Sequence, residues 1–145
     1  MAIVRFYDDV DDSLLKFAVI AAVHQGRMLF CKHRERDTLE IPGGHREPGE
    51  SIDETAAREL REETGAIQFT ITPVCVYSVT DPDSFNGQET FGKLYFAEID
   101  SLSPDLHSEI ERVVLMETLP ENWTYPQIQP YLIDEIKRHK LPYFS

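Results

Sequence analysis

The sequence predicts an α/β chain with a mixed β-sheet sandwiched between α-helices, an α/β/α arrangement. Three observations lead there. Apolar, β-branched runs of strand length stand both before and after one strongly signalled helix at 52–64. A second helical pattern closes the chain at 126–140. No repeat, low-complexity tract or inter-domain linker interrupts the 145 residues, so one domain over 1–145 is expected.

Taken in order, Ile3-Val4 and Phe6-Tyr7 form a short apolar run that reads as an edge strand, followed by an acidic loop at 8–12. The continuous apolar run 17–23 suits a strand buried on both faces. His24-Gln25-Gly26 is a turn, with His24 a plain turn residue, and 27–32 returns to complete a hairpin. After the helix, 67–80 alternates in part around Pro73 and reads as one long bent strand or two short ones. A loop at 81–87, a strand at 91–99, a loop at 101–108 and a strand at 112–116 follow. Pro126 stands near the start of the closing helix, with Ile128, Leu132, Ile133 and Ile136 at helical spacing.

The stretch 43–66 carries the chemistry. Ser51 with Glu54 three residues on is a capping box, in which each side chain takes up a free backbone N–H. Gly65 is placed to end the helix in the left-handed conformation. On a helical wheel Ile52, Ala56, Ala57 and Leu60 share the side expected to face the core. Glu63 falls inside that apolar sector and Glu59 at its edge, whereas Glu62 lies further round beside Arg58, its i,i+4 partner. A carboxylate on a buried face is costly unless something pairs with it. Oxygen ligands of this kind suit Mg²⁺ or Mn²⁺, and Gly43 and Gly44 let the backbone turn sharply and approach closely, so a carbonyl there can join them.

Composition sets bounds. Hydrophobic residues make up 41%, the ordinary globular range. A formal charge of −12 argues against nucleic-acid binding, which needs a basic footprint. The same charge should repel a phosphate substrate unless cations held by the glutamates reverse the sign locally. Cys31 and Cys75 fit neither a zinc pattern nor a disulfide framework and are expected as buried free thiols. No apolar run reaches membrane-span length and no signal-peptide core begins the chain, so a cytoplasmic location is expected, with no membrane partner.

Gly44, Glu50, Arg58-Glu59-Leu60, Glu62-Glu63 and Gly65, at these spacings, resemble the Nudix box at every charged and glycine position. The one departure is Ala66, where a larger aliphatic is usual; it bears on packing rather than chemistry. The resemblance implies the Nudix fold and a Mg²⁺- or Mn²⁺-dependent hydrolase that cleaves a diphosphate linkage in a nucleoside diphosphate derivative. Glu59, Glu62, Glu63 and a carbonyl of Gly43 or Gly44 would hold the metal. Arg58, Glu50 and Gly65 would be structural, with Arg58 keeping a carboxylate aimed and Glu47 a weaker loop candidate. The catalytic base is open between a box glutamate, Glu59 or Glu62, and a later loop acid, for which Glu109 fits, then Glu111, although a simple loop acid is the stronger expectation for both.

The cations of 32–36 read equally as a solvated loop or as phosphate contacts, with Arg34 the favoured contact because guanidinium matches phosphate oxygens in a two-pronged way; Lys32 and Lys93 are further candidates. Phe85, Phe91, Tyr77 and Trp123 are available to stack on a base, although core packing is the stronger expectation for each. A nucleoside triphosphate pyrophosphohydrolase of the MutT-like kind leads, with ADP-ribose or sugar-nucleotide cleavage the nearest alternative. A non-catalytic nucleotide sensor and an isopentenyl diphosphate isomerase are weaker readings. The box is complete, and neither cysteine has the flanking pattern of the isomerases. A monomer and a homodimer are both open.

Overall fold

A computed structural model describes residues 2–83, 85–104 and 109–139. Seven strands, β1 (Ile3–Tyr7), β2 (Leu15–His24), β3 (Arg27–His33), β4 (Gly43–His45), β5 (Ala66–Thr80), β6 (Thr90–Leu102) and β7 (Ile110–Met116), share one sheet. The order is β1-β5-β6-β2-β3-β7, with β4 paired to β2. The β2–β6 pair is parallel and the other pairs are antiparallel, so the sheet is mixed as expected.

Two helices cover the two faces. Helix α1 (Ile52–Thr64) sets Ile52, Ala56 and Leu60 against Ala18, Ile20, Ala22, Tyr95 and Ala97. Helix α2 (Gln129–Arg138) sets Leu132, Ile133 and Ile136 against Ala21, Val23, Phe30, Tyr77 and Leu94. Because side chains alternate along a strand, β2 supplies Ala18, Ile20 and Ala22 to one core and Ala21 and Val23 to the other. That is why its sequence is apolar throughout rather than alternating.

Several element boundaries differ from expectation. Strand β2 starts at Leu15, β6 spans Thr90–Leu102, and β7 starts at Ile110. His24 ends β2 with its Nδ1 2.8 Å from Ile99 O, so it is bonded to the sheet rather than being a plain turn residue. The turn proper is Gln25-Gly26, both at positive φ, the geometry that matches strand twist in a tight hairpin. Strand β5 is one long strand with a register shift between Pro73 and Cys75. Pro73 needs no second partner, because β1 pairs only with Val76–Thr80 and leaves β5 an edge at that point.

Helix α2 starts at Gln129 rather than Pro126. The N–H groups of Ile128 and Gln129 close a turn on Tyr125 O, and Pro130 occupies the first helical turn, where its missing N–H costs nothing. Residue 140, the expected end of this helix, and the second half of the loop expected at 101–108 lie outside the described residues. On α1, Thr55 rather than Ala57 completes the buried face. Its hydroxyl donates to Glu50 Oε1 at 2.8 Å and Ser51 O at 3.1 Å, so burying it leaves no polar group unsatisfied.

Candidate active site

The glycine pair belongs to strand β4 rather than to a sharp turn. Gly43 and Gly44 pair with Val19 and Ala18, and the turn falls instead at Gly49, whose φ is +82°. What these positions require of glycine is close approach. A Cβ on Gly43 would lie 2.6 Å from Ala18 O, and one on Gly44 would overlap the Glu59 carboxylate. The α1 carboxylates are thus pressed against a bare backbone.

The capping box predicted from sequence is present: Ser51 N–H donates to Glu54 Oε1 at 2.9 Å and Glu54 N–H to Ser51 Oγ at 3.1 Å. Gly65 closes α1 at φ 77°, its N–H bonded to Arg61 O. Between these ends Glu63 points inward, accepting from Gly43 N–H at 2.8 Å. Burial pushes its carboxyl up to about 8, helped by the charges of Glu59, Glu40 and Glu109 and opposed by the Gly43 bond. Burial likewise raises Glu59, while Arg58 pulls it back. Three acids therefore act on Glu63, a density of negative charge that suits a cation.

Arg58 organises the rest. Its Nε donates to Glu50 Oε2 at 2.5 Å, its Nη1 to Glu59 Oε1 at 2.7 Å and Glu62 Oε2 at 3.2 Å, and its Nη2 to Glu50 Oε1 and to His45 O, both at 3.0 Å. The bonds from Arg58, with one from the Glu47–Glu50 turn, hold the Glu50 carboxyl down to about 2. Glu47 joins this network loosely, 3.7 Å from Arg58. Glu62 remains exposed, one oxygen held by Arg58.

Of the cations singled out from sequence, Arg34 is exposed and shares a cleft with His33, Glu35, Arg36 and Glu109. Its N–H donates to Glu109 O at 3.0 Å, so the later loop acid and the favoured cation are neighbours. Lys32 is not gathered with them: it lies 3.4 Å from Glu111, because Cys31 faces α1 and the next strand residue faces away. Glu111 is thereby engaged by Lys32. Lys93 stands 3.9 Å from Asp53, near the opposite end of α1 from Glu63.

Glu40 joins the site without having been predicted; its signal in the sequence is a lone acid between Leu39 and Ile41. It is buried, bonded by Arg36 at 3.0 Å and approached by His33 Nε2 at 3.3 Å. The other His33 nitrogen lies 3.8 Å from Glu109, so this imidazole bridges the two acids. Beside Gly43, Gly44 and Glu40 opens a cavity of about 260 Å³ lined also by Phe17, His45, Tyr77 and Tyr125. Of the predicted stacking aromatics whose side chains are described, only Tyr77 lines it. Trp123 packs edge-on against Phe30 and Phe91 packs against Tyr7, while the Phe85 side chain lies outside the described residues.

The donor set is oxygen only: Glu63 and Glu59, both part-buried, meet the glycine strand, and Glu62 stands exposed beside them on Arg58. That chemistry fits Mg²⁺ or Mn²⁺, and the Gly44 cradle, which a Cβ would fill, explains how the carboxylates reach it.

A mixed sheet between helices, with a capped acidic helix laid against a glycine strand, is the frame of a Nudix hydrolase. Residues 14–135 match the NUDIX domain, and the chain belongs to this family of enzymes. It is 35% identical over 98 residues to a Bacillus subtilis protein named as a provisional 8-oxo-dGTP diphosphatase, YtkD. It is 39% identical over 64 residues to an ADP-ribose pyrophosphatase of the same organism. The first alignment spans 67% of this chain and 59% of the relative, the second 41% and 35%. Among solved structures, the Bacillus subtilis pyrophosphohydrolase BsRppH superposes with a TM-score of 0.77 at 26% identity, covering 94% of this chain and 90% of that one. A Nudix hydrolase from Nitrosomonas europaea shares the fold with a TM-score of 0.69 at 23% identity, over 87% of this chain and 90% of that one.

Proposed function

We propose that this chain is a Mg²⁺- or Mn²⁺-dependent pyrophosphohydrolase whose substrate is a nucleoside triphosphate. The observation that supports the reading is Glu63, a largely buried carboxylate bonded to Gly43 N–H with Glu59 packed against Gly44, while the same two glycines line an aromatic cavity. Glu59, Glu62, Glu63 and a carbonyl of Gly43 or Gly44 would hold the ion. When bound, a divalent ion there supplies charge neutralisation on the phosphate oxygens and lowers the pKa of water.

The chain's own groups do the rest. Gly43 N–H and Arg58 hold the Glu63 and Glu59 carboxylates at fixed positions. The nucleoside enters the cavity between Phe17, Tyr77 and Tyr125, and Arg34 meets the phosphates from the neighbouring cleft. Water attacks phosphorus, its proton passing to Glu109 or to a box glutamate, and the diphosphate linkage breaks. His33, between Glu109 and Glu40, positions the loop acid. The likeness to YtkD favours an 8-oxo-dGTP-type triphosphate, and the likeness to the ADP-ribose pyrophosphatase keeps that substrate as the second reading.

A panel of nucleoside triphosphates including oxidised guanine forms, ADP-ribose, dinucleoside polyphosphates and sugar nucleotides, scored by product identity, tests this. The expected outcome is Mg²⁺-dependent release of a nucleoside monophosphate and pyrophosphate from a triphosphate, abolished by EDTA. Turnover of ADP-ribose alone would replace the substrate, and no turnover of any member with metal present would overturn the reading. Comparing Glu109→Gln with Glu62→Gln on the best substrate assigns the base to the variant with the larger loss of kcat.

A further inference from the structure

The face of the sheet opposite α1 holds a second gathering of metal-binding groups. Cys75, just past the register shift in β5, is buried in the core beneath α2. Glu135 and His139 lie four residues apart at the end of that helix, which places them on one side of it. One donor atom from each of the three, a sulfur, a carboxylate oxygen and a ring nitrogen, falls within 4.8 Å of the others. His139 Nε2 is already 3.5 Å from Glu135 Oε2. None of the described residues hydrogen-bonds the Cys75 sulfur.

The geometry is close to what a tetrahedral ion demands. Bonds of about 2.3 Å to sulfur and about 2.0 Å to nitrogen set donors roughly 3.5 Å apart, so small side-chain rotations complete the approach. The donor chemistry also selects. Thiolate, imidazole and carboxylate together form a borderline-soft set, unlike the oxygen-only group at α1. We propose that Cys75, Glu135 and His139 form a second metal site, for a divalent cation of the Zn²⁺ class, which fastens the last turn of α2 to β5. The thiol proton leaves to solvent as the sulfur–metal bond forms, and one thiolate with one carboxylate neutralises the ion's two charges. The fourth position falls to water or to Asp8, whose charge already acts on the Cys75 thiol. The site is structural, and it shares no residue with the glutamate site on the other face.

Cobalt reads it directly. The full chain is stripped of metal, given excess Mg²⁺ to occupy the oxygen ligands, and titrated with Co²⁺. Saturation near one equivalent is expected, with a near-ultraviolet thiolate-to-cobalt band and the intense visible bands of a four-coordinate ion, all displaced by Zn²⁺. Cys75→Ser and His139→Ala should abolish or weaken this binding at least about tenfold, and Zn²⁺ should raise the Tm of the parent chain but not of His139→Ala. His139→Ala should leave Mg²⁺-dependent hydrolysis unchanged. If Cys75→Ser does not fold, His139→Ala, at a partly exposed helix end, decides alone. The absence of a thiolate band in the parent chain, or a band that titrates in His139→Ala with the parent's affinity, overturns the proposal.

Discussion

Glu63 lies where helix geometry and backbone packing compete over one carboxylate. Its place on the apolar side of α1 follows from its spacing from Ile52, Ala56 and Leu60, and the Gly43 N–H answers only one of its oxygens. With its carboxyl pushed up to about 8 in the folded chain against 4.5 unfolded, the native state binds the extra proton between those values. The sign follows. In the metal-free protein its stability contribution is full below pH 4.5 and is lost as pH rises through 8. Glu63→Gln removes that titration, so urea unfolding of the metal-free variant should show a flatter pH dependence between 4.5 and about 8 than the parent chain. The same substitution should lower turnover by at least ~100-fold, as loss of a held ligand does, with the fold kept by circular dichroism. Unchanged activity would remove Glu63 from the site.

At the scale of elements, α1 is set by local rules that the structure upholds one by one. The reciprocal Ser51–Glu54 bonds begin it and the left-handed Gly65 ends it. Ser51→Ala should cost about 1 kcal/mol. In a chain of this size that lowers Tm by about 2–4 °C, read by thermal unfolding in EDTA, where metal does not mask the loss. Arg58 couples this helix to the loop before it through Glu50, so the start of α1 and the aim of Glu59 and Glu62 depend on one guanidinium. Strand β4 shows the opposite case, an element invisible to local rules. A Gly-Gly pair reads as a turn, and it becomes a strand because β2 offers an edge onto which only a bare backbone fits.

For the whole molecule, the negative charge that Glu40, Glu59 and Glu109 place on Glu63 makes the proposed metal site testable through folding. On the proposed reading Mg²⁺ or Mn²⁺ would bind the native state alone, so a hundredfold excess over Kd should stabilise by about 2.7 kcal/mol. The rise in Tm should be larger at pH 8 than at pH 6, because protons leave Glu63 as pH rises toward its folded value. Differential scanning at both pH values checks it, and identical melting with and without metal would leave the glutamates without an ion.

The sequence by itself determined what depends on neighbours a few positions away. The span of α1, its caps, the inward aim of Glu63, the Arg58–Glu62 pair and the two-faced burial of β2 all follow from periodicities of 3.6 and 2.0. Contacts between residues far apart in the chain were decided only by tertiary structure. Glu109 and Glu40 meet through His33, Gly44 yields its side of the cradle to Glu59, and Lys32 and Lys93 are carried away from the glutamates. Cys75 comes beneath Glu135 and His139 for the same reason. These positions turn on sheet order and on which face each strand residue takes, and both are settled when strands pair across the whole chain.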